Sequence, residues 1–170
     1  EVARTRSPYR LGAKVASQLT QRRAYLVPMR HGRQRQWKLP LATAGIAALQ
    51  ERPLFFSKPQ ALSKATKAAM RKRRIISVTV VGDDKAVGPK MLRQLADLGV
   101  KIRRIKSSDP YELSARFAGQ ALKSGARADR PVVASGDSWT SSVTAPALAA
   151  LMGQVTLLVD NRSLNRSKPT

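Results

Sequence analysis

Apolar residues along the chain fall into two alternating patterns. Short continuous runs at residues 24–28, 54–56, 75–81, 100–105, 131–135 and 156–159 predict buried strands. Between them apolar positions recur at helical spacing: Tyr9, Ala13 and Ala16, then Val87, Met91, Leu95 and Leu98, then Tyr111, Ala115, Ala118 and Leu122. Residues 40–50 and 61–72 predict two more helices, the second turning Leu62, Ala65 and Ala69 inward. A last helix opens at Thr144-Ala145-Pro146, after a loop through Trp139, and stops at Gly153. Pro8 and Pro110 occupy first-turn positions behind the N-cap candidates Ser7 and Asp109, and Gly99 reads as a helix stop. Residues 1–8 read as an exposed lead-in, and those from about 162 onward as a loose polar tail.

Strands that alternate with helices, without a strand–turn–strand signal, predict right-handed crossovers. The expected class is α/β, with parallel sheets carrying helices on both faces. Ligands of such sheets gather beyond the C-terminal strand ends. Those ends carry Arg30, Arg33 and Arg35, then Asp83 and Asp84, then Arg104 and Lys106, then Gly136-Asp137-Ser138.

The chain repeats itself. Pro110-Tyr111, Leu113, Ala115, Ala118 and Gln120 match Pro8-Tyr9, Leu11, Ala13, Ala16 and Gln18 at an offset of 102. The same offset pairs Trp37 with Trp139 and Ala47-Ala48-Leu49 with Ala149-Ala150-Leu151, while the strand between slips by about four residues. Ordered matches at one net offset mark a duplicated structural unit. The expected division is a first, partial copy over residues 1–74 and a second over 75–170.

Charge changes the picture most. The chain has 32 Lys+Arg against 10 Asp+Glu, net +22, and residues 1–74 hold 18 of the basic and 2 of the acidic residues. Such a field favours polyanions, whether wall polymer, nucleic acid or anionic lipid. The candidate polyanion-binding residues are Arg30, Arg33, Arg35, Lys38, Arg71, Lys72, Arg73, Arg74, Arg103, Arg104 and Lys106. Part of the 71–74 cluster is also ordinary chemistry for a helix C-terminus. The sequence holds no cysteine and one histidine, so disulfides, thiol catalysis and His-based metal clusters within one chain are excluded. No apolar run reaches the roughly 20 residues of a membrane span. A chain beginning at Glu1 reads as a processed or excised piece.

Three segments resemble the cell-wall-binding repeat (type 2) family of Gram-positive surface proteins. Val78-Thr-Val-Val-Gly-Asp-Asp-Lys-Ala-Val-Gly88 with Leu95-Ala-Asp-Leu-Gly-Val-Lys-Ile-Arg-Arg-Ile105 is similar to the family's strand, glycine turn, helix start and returning strand. Ser108-Asp109-Pro110-Tyr111 is similar to its Asp-Arg-Tyr helix entry. Val132-Val-Ala-Ser135-Gly136-Asp137-Ser-Trp139 and the Pro146-to-Val159 stretch are similar to its Ser-Gly-Asp loop, apolar helix and final strand. Proline replaces the family's arginine at positions 8 and 110. The resemblance implies a secreted, non-catalytic anchoring module at the cell wall or surface. It would bind an anionic polysaccharide or teichoic-type polymer, without cofactor or metal, and further repeats or self-association would accompany it. Its motif residues here are Asp109, Tyr111, Ser135, Gly136, Asp137 and Trp139.

Sharper readings are weaker. Gly136-Asp137-Ser138 is also similar to an esterase nucleophile block, but no histidine follows Ser138 to serve as base. Asp83 and Asp84 are similar to a receiver-domain acidic pocket, yet the next strand ends in Ile105-Lys106 rather than an aspartate. His31, set among arginines, reads as a solvated loop residue, and Trp37 and Trp139 as packing anchors at loop–helix junctions. The rival functional classes are a basic nucleic-acid-binding or ribosome-associated protein, which lacks an identifiable base-reading element, and a structural subunit of a surface assembly.

Overall fold

The structure, a computed structural model, describes residues 5, 7–29 and 37–160, with the backbone alone at 139 and 141. The elements run α1 (Pro8–Ala16), β1 (Arg23–Pro28), α2 (Lys38–Leu49), β2 (Leu54–Ser57), α3 (Lys64–Lys72) and β3 (Ser77–Val81), continuing through α4 (Pro89–Ala96), β4 (Lys101–Ile105), α5 (Pro110–Lys123), β5 (Arg127–Ser135), α6 (Trp139–Leu151) and β6 (Gln154–Val159). All strand pairs within the sheets are parallel, as the alternation requires.

The chain forms two compact units, Glu1–Gln36 with Glu51–Lys106, and Trp37–Gln50 with Ser107–Thr170. The first holds a four-stranded sheet in the order β2-β1-β3-β4. Its core is Leu26, Phe55, Val78 and Val80 from the strands, with Met70 from α3 and Met91 and Leu95 from α4. The second holds the two-stranded sheet β5-β6, with α2, α5 and α6 packed on it and on one another. The repeated sequence unit and the compact unit are thus different divisions of the chain, because α2 of the first copy packs in the second unit.

The duplication is visible atom by atom. A Cβ on Gly12 of α1 would lie 3.1 Å from the Leu54 carbonyl oxygen and 3.2 Å from Phe56 Cδ2. At +102, Ser114 of α5 donates its hydroxyl to the Thr156 carbonyl (3.3 Å) and accepts the Leu158 N–H (2.8 Å). β1 pairs Tyr25 with Leu54, and β5 pairs Val132 with Thr156. Since Leu54 and Thr156 are counterparts, Tyr25 corresponds to Val132, and the strand slips by five residues rather than about four. Met29 N–H donates to Ser57 O and Gly136 N–H to Val159 O, both at 2.8 Å, in the same register.

Several expectations change. α6 begins at Trp139, so Pro146 lies inside the helix rather than opening it, and Trp139 starts the helix instead of ending a loop. Leu122 is exposed, while α5 buries Leu113, Phe117 and Ala121. Leu62 is buried in the core as expected but precedes α3, Ala69 is half-buried against that core, and the residues α3 buries fully are Thr66 and Met70. β3 starts at Ser77, two residues later than the apolar run. Gly99, at φ +68°, stops α4 as the sequence suggested.

Candidate binding site

Asp109 caps α5. Its carboxylate accepts the N–H groups of Tyr111 (2.8 Å) and Glu112 (3.4 Å), and Pro110 supplies a first-turn residue that needs no donor. This cap fixes Tyr111, whose side chain is buried, at the mouth of the β5–α6 loop. The ring lies where Gly136 leaves room: a Cβ there would come within 2.5 Å of Tyr111 Cε1. The first copy repeats the arrangement, since Ser7 caps α1 and the Tyr9 hydroxyl donates to the Met29 carbonyl at 2.9 Å. Met29 is the counterpart of Gly136, so each Pro-Tyr helix places its tyrosine on the loop after its strand. Removing the second cap by Asp109→Ala is expected to cost about 1 kcal/mol. That lowers the melting temperature by roughly 2–4 °C, and Asn restores most of it.

Lys38 completes the second constellation. Its Nζ donates to Asp137 Oδ1 (2.8 Å) and to the Tyr111 hydroxyl (3.1 Å), and lies 5.4 Å from the Tyr111 ring centre and 5.9 Å from that of Trp37. Partial burial opposes the ammonium charge, but the hydrogen bonds to Asp137 and Tyr111 outweigh it and raise the lysine's pKa. The contribution of this pair is therefore complete below the unfolded lysine value and is lost only as pH rises past the folded one. Ser135 supports the loop by accepting the Asp137 N–H at 3.2 Å. Five motif residues, Asp109, Tyr111, Ser135, Gly136 and Asp137, thus gather with one candidate polyanion residue, Lys38, in one unit.

The other cations lie in the first unit. Arg71 and Lys72 end α3 and are exposed, as is Arg74, held at φ +50° with its carbonyl accepting Arg22 Nε at 2.8 Å. Arg73 turns inward and donates to the Leu19 carbonyl. On the edge strand β4, Arg103 faces solvent, whereas Arg104 donates to the Gly82 carbonyl (3.0 Å) and to Asp84 (3.2 Å). Lys106 joins the same carboxylate at 3.2 Å. Asp83 caps the following turn by accepting the Ala86 N–H at 2.9 Å. Arg30, Arg33, Arg35 and His31 lie outside the described residues.

The Lys106 hydrogen bond, aided by both cations' charges and opposed by desolvation, holds Asp84 below its usual value. A depressed carboxylate contributes its stabilisation above the unfolded value, and the contribution is lost as pH falls through the folded one. Titration of the Asp84 carboxyl by NMR is expected to show a midpoint below the ordinary 3.8. Lys106→Ala is expected to move it back up.

Charge divides more sharply by unit than by sequence copy. The first unit carries 24 Lys+Arg against 5 Asp+Glu, and the second 8 against 5, or +19 and +3. Sequence reasoning missed this because residues 75–106, with 7 Lys+Arg against 3 Asp+Glu, fold with the basic copy in the first unit, while α2 crosses to the other unit with a single lysine. It also missed the pairing of Lys38 with Asp137, which depends on that crossing; the charge of Lys38 beside Trp37 was the only local signal.

These features define a parallel α/β repeat protein whose tyrosine-bearing helices seat on the loops after its strands. Over 96% of its length the chain superimposes on Cwp6 from Clostridium difficile with a TM-score of 0.75 at 18% identity, covering 25% of that chain. It matches Cwp8 from the same organism over 95%, with a TM-score of 0.69 and 20% identity, covering 27% of that chain. In sequence it is 26% identical over 125 residues to N-acetylmuramoyl-L-alanine amidase LytC of Bacillus subtilis (strain 168), across 74% of this chain and 24% of that protein. No protein-family profile matches. The chain spans about a quarter of each of these relatives. Together the structural matches show that the chain shares the fold of Cwp6 and Cwp8.

Proposed function

We propose that the chain is a non-catalytic module that holds a secreted protein to an anionic wall polymer, the first unit supplying the contacts. The observation that carries this reading is the concentration of charge, +19, on one of two units that share the repeat fold. Arg71, Lys72, Arg74 and Arg103 are exposed there and offer forks and point charges to phosphate or carboxylate groups along a flexible polyanion. Lys38, Arg73, Arg104 and Lys106 hold the framework while adding to the field. The family resemblance favours wall polymer over nucleic acid, and the LytC match spans only a quarter of that amidase, which favours binding over catalysis. Among the described residues, no helix is long and apolar enough to cross a membrane.

Titrating the protein with a soluble teichoic-type polymer, alone and with excess RNA, at about 50 and 200 mM salt tests the reading. Binding is expected to weaken steeply with salt, as counterion release requires, yet to survive the RNA. Displacement by equimolar RNA would favour the nucleic-acid reading instead.

A further inference from the structure

Two buried polar atoms of the second unit have no hydrogen-bond partner in the protein, and their residues line one small cavity. Gln154 and Thr156 stand two residues apart on β6, so their side chains leave the same face of the strand. That face meets Ala42, Ile46 and Leu49 of α2 and Phe117 and Ala121 of α5, around a cavity with room for about one water. Gln154 Oε1 and Thr156 Oγ1 are both shut off from solvent and unpartnered among the described residues, and Gln154 as a whole is 1% exposed. A polar atom left in that state carries its full desolvation cost, which is why nearly all such atoms in folded proteins find a protein or water partner.

The direction of Oε1 is fixed from its other side. Gln154 Nε2 donates to Asp129 Oδ1 at 2.9 Å, and this hydrogen bond is the main cause that holds the Asp129 carboxyl below its ordinary value. An ionised carboxylate only accepts, so the amide cannot turn its oxygen toward Asp129. The acceptor is committed to the interior, where the Thr156 hydroxyl is the other unpartnered atom of the cavity wall. Gly45 of α2 keeps the space beside that hydroxyl open, since a Cβ there would lie 2.9 Å from Oγ1. The first copy has Leu54 where the second has Thr156, so the arrangement belongs to the second unit alone.

We propose that this cavity is the site of one buried structural water, which donates to Gln154 Oε1 and accepts from the Thr156 hydroxyl. Each atom then gains the partner it lacks, and the water has the two polar contacts that a buried site requires. It fills the seam where α2, the helix that crosses from the first copy, meets α5 and β6.

A high-resolution crystal structure of the whole 170-residue chain, together with thermal unfolding of Thr156→Val, tests this. The crystal is expected to show a water within hydrogen-bond distance of both Gln154 Oε1 and Thr156 Oγ1. Thr156→Val keeps the shape of the side chain but takes away one of the water's two partners, and is expected to lower the melting temperature by roughly 2–4 °C. Valine's higher strand propensity acts the other way, so a fall cannot come from the backbone. A dry cavity, or an amide turned so that Oε1 meets a donor from the protein, would overturn the proposal. So would an unchanged or raised melting temperature, the result expected when a methyl group replaces a hydroxyl that has no partner.

Discussion

Neutralising Arg71, Lys72, Arg74 and Arg103 together is expected to lower affinity for anionic wall polymer by roughly 10²–10³-fold at physiological salt, with little change in fold. A lysine or arginine near an anionic surface contributes about 1 kcal/mol, and four of them give that factor. The choice of residues follows from what each does in the unit. Arg73 and Arg104 hydrogen-bond to the carbonyls of Leu19 and Gly82, so their loss would confuse binding with stability. The four chosen are exposed at the end of α3, in the turn after it, and on an edge strand. The salt dependence of binding is expected to flatten in the same variant, because fewer counterions are displaced. Unchanged affinity with unchanged folding would remove these residues from the interface.

The second large effect is structural. Gly136→Ala places a methyl group within 2.5 Å of Tyr111 Cε1, 2.8 Å of its hydroxyl and 2.9 Å of Cζ. A buried ring cannot yield as the end of a flexible side chain would, so the ring and the Lys38 hydrogen bond to it must shift together. Overpacking of this kind costs about 1–3 kcal/mol. In a chain of this size the melting temperature falls by about 2–4 °C for each of those kcal/mol. Tyr111→Ala removes the clash while creating a cavity, so the double variant is expected to be more stable than the sum of the two single losses predicts. Denaturant unfolding of the four proteins closes the cycle; strict additivity would mean that the alanine is accommodated without moving Tyr111.

Much of this architecture is written locally. The strands are apolar runs with turn signals, and the caps Ser7 and Asp109 stand immediately before prolines, so both Pro-Tyr helices and every strand can be placed to within a few residues. What could not be read depends on partners distant in sequence. α2 is apolar on nearly all sides, so its pattern does not say which face is inward or that it packs in the second unit. Val132-Val133 offers no landmark, and only the pairing with β6 fixes the five-residue slip. Pro146 looked like a helix start because proline favours the first turn, but α6 carries it inside. Leu122 fits the helical period yet faces solvent, since α5 turns Phe117 and Ala121 toward α2 instead. The Asp109–Tyr111 helix entry and the Gly136 loop were visible as motifs. Their meeting with Lys38 was not, because that lysine arrives on a helix from the other copy.

The most direct test of the wall-anchor account is cosedimentation with purified Gram-positive sacculi, intact and chemically stripped of anionic polymer, in the presence of excess RNA. The account predicts salt-sensitive binding to intact walls that is lost on stripped ones. Equal binding to both, or none to either while RNA is retained, would contradict it.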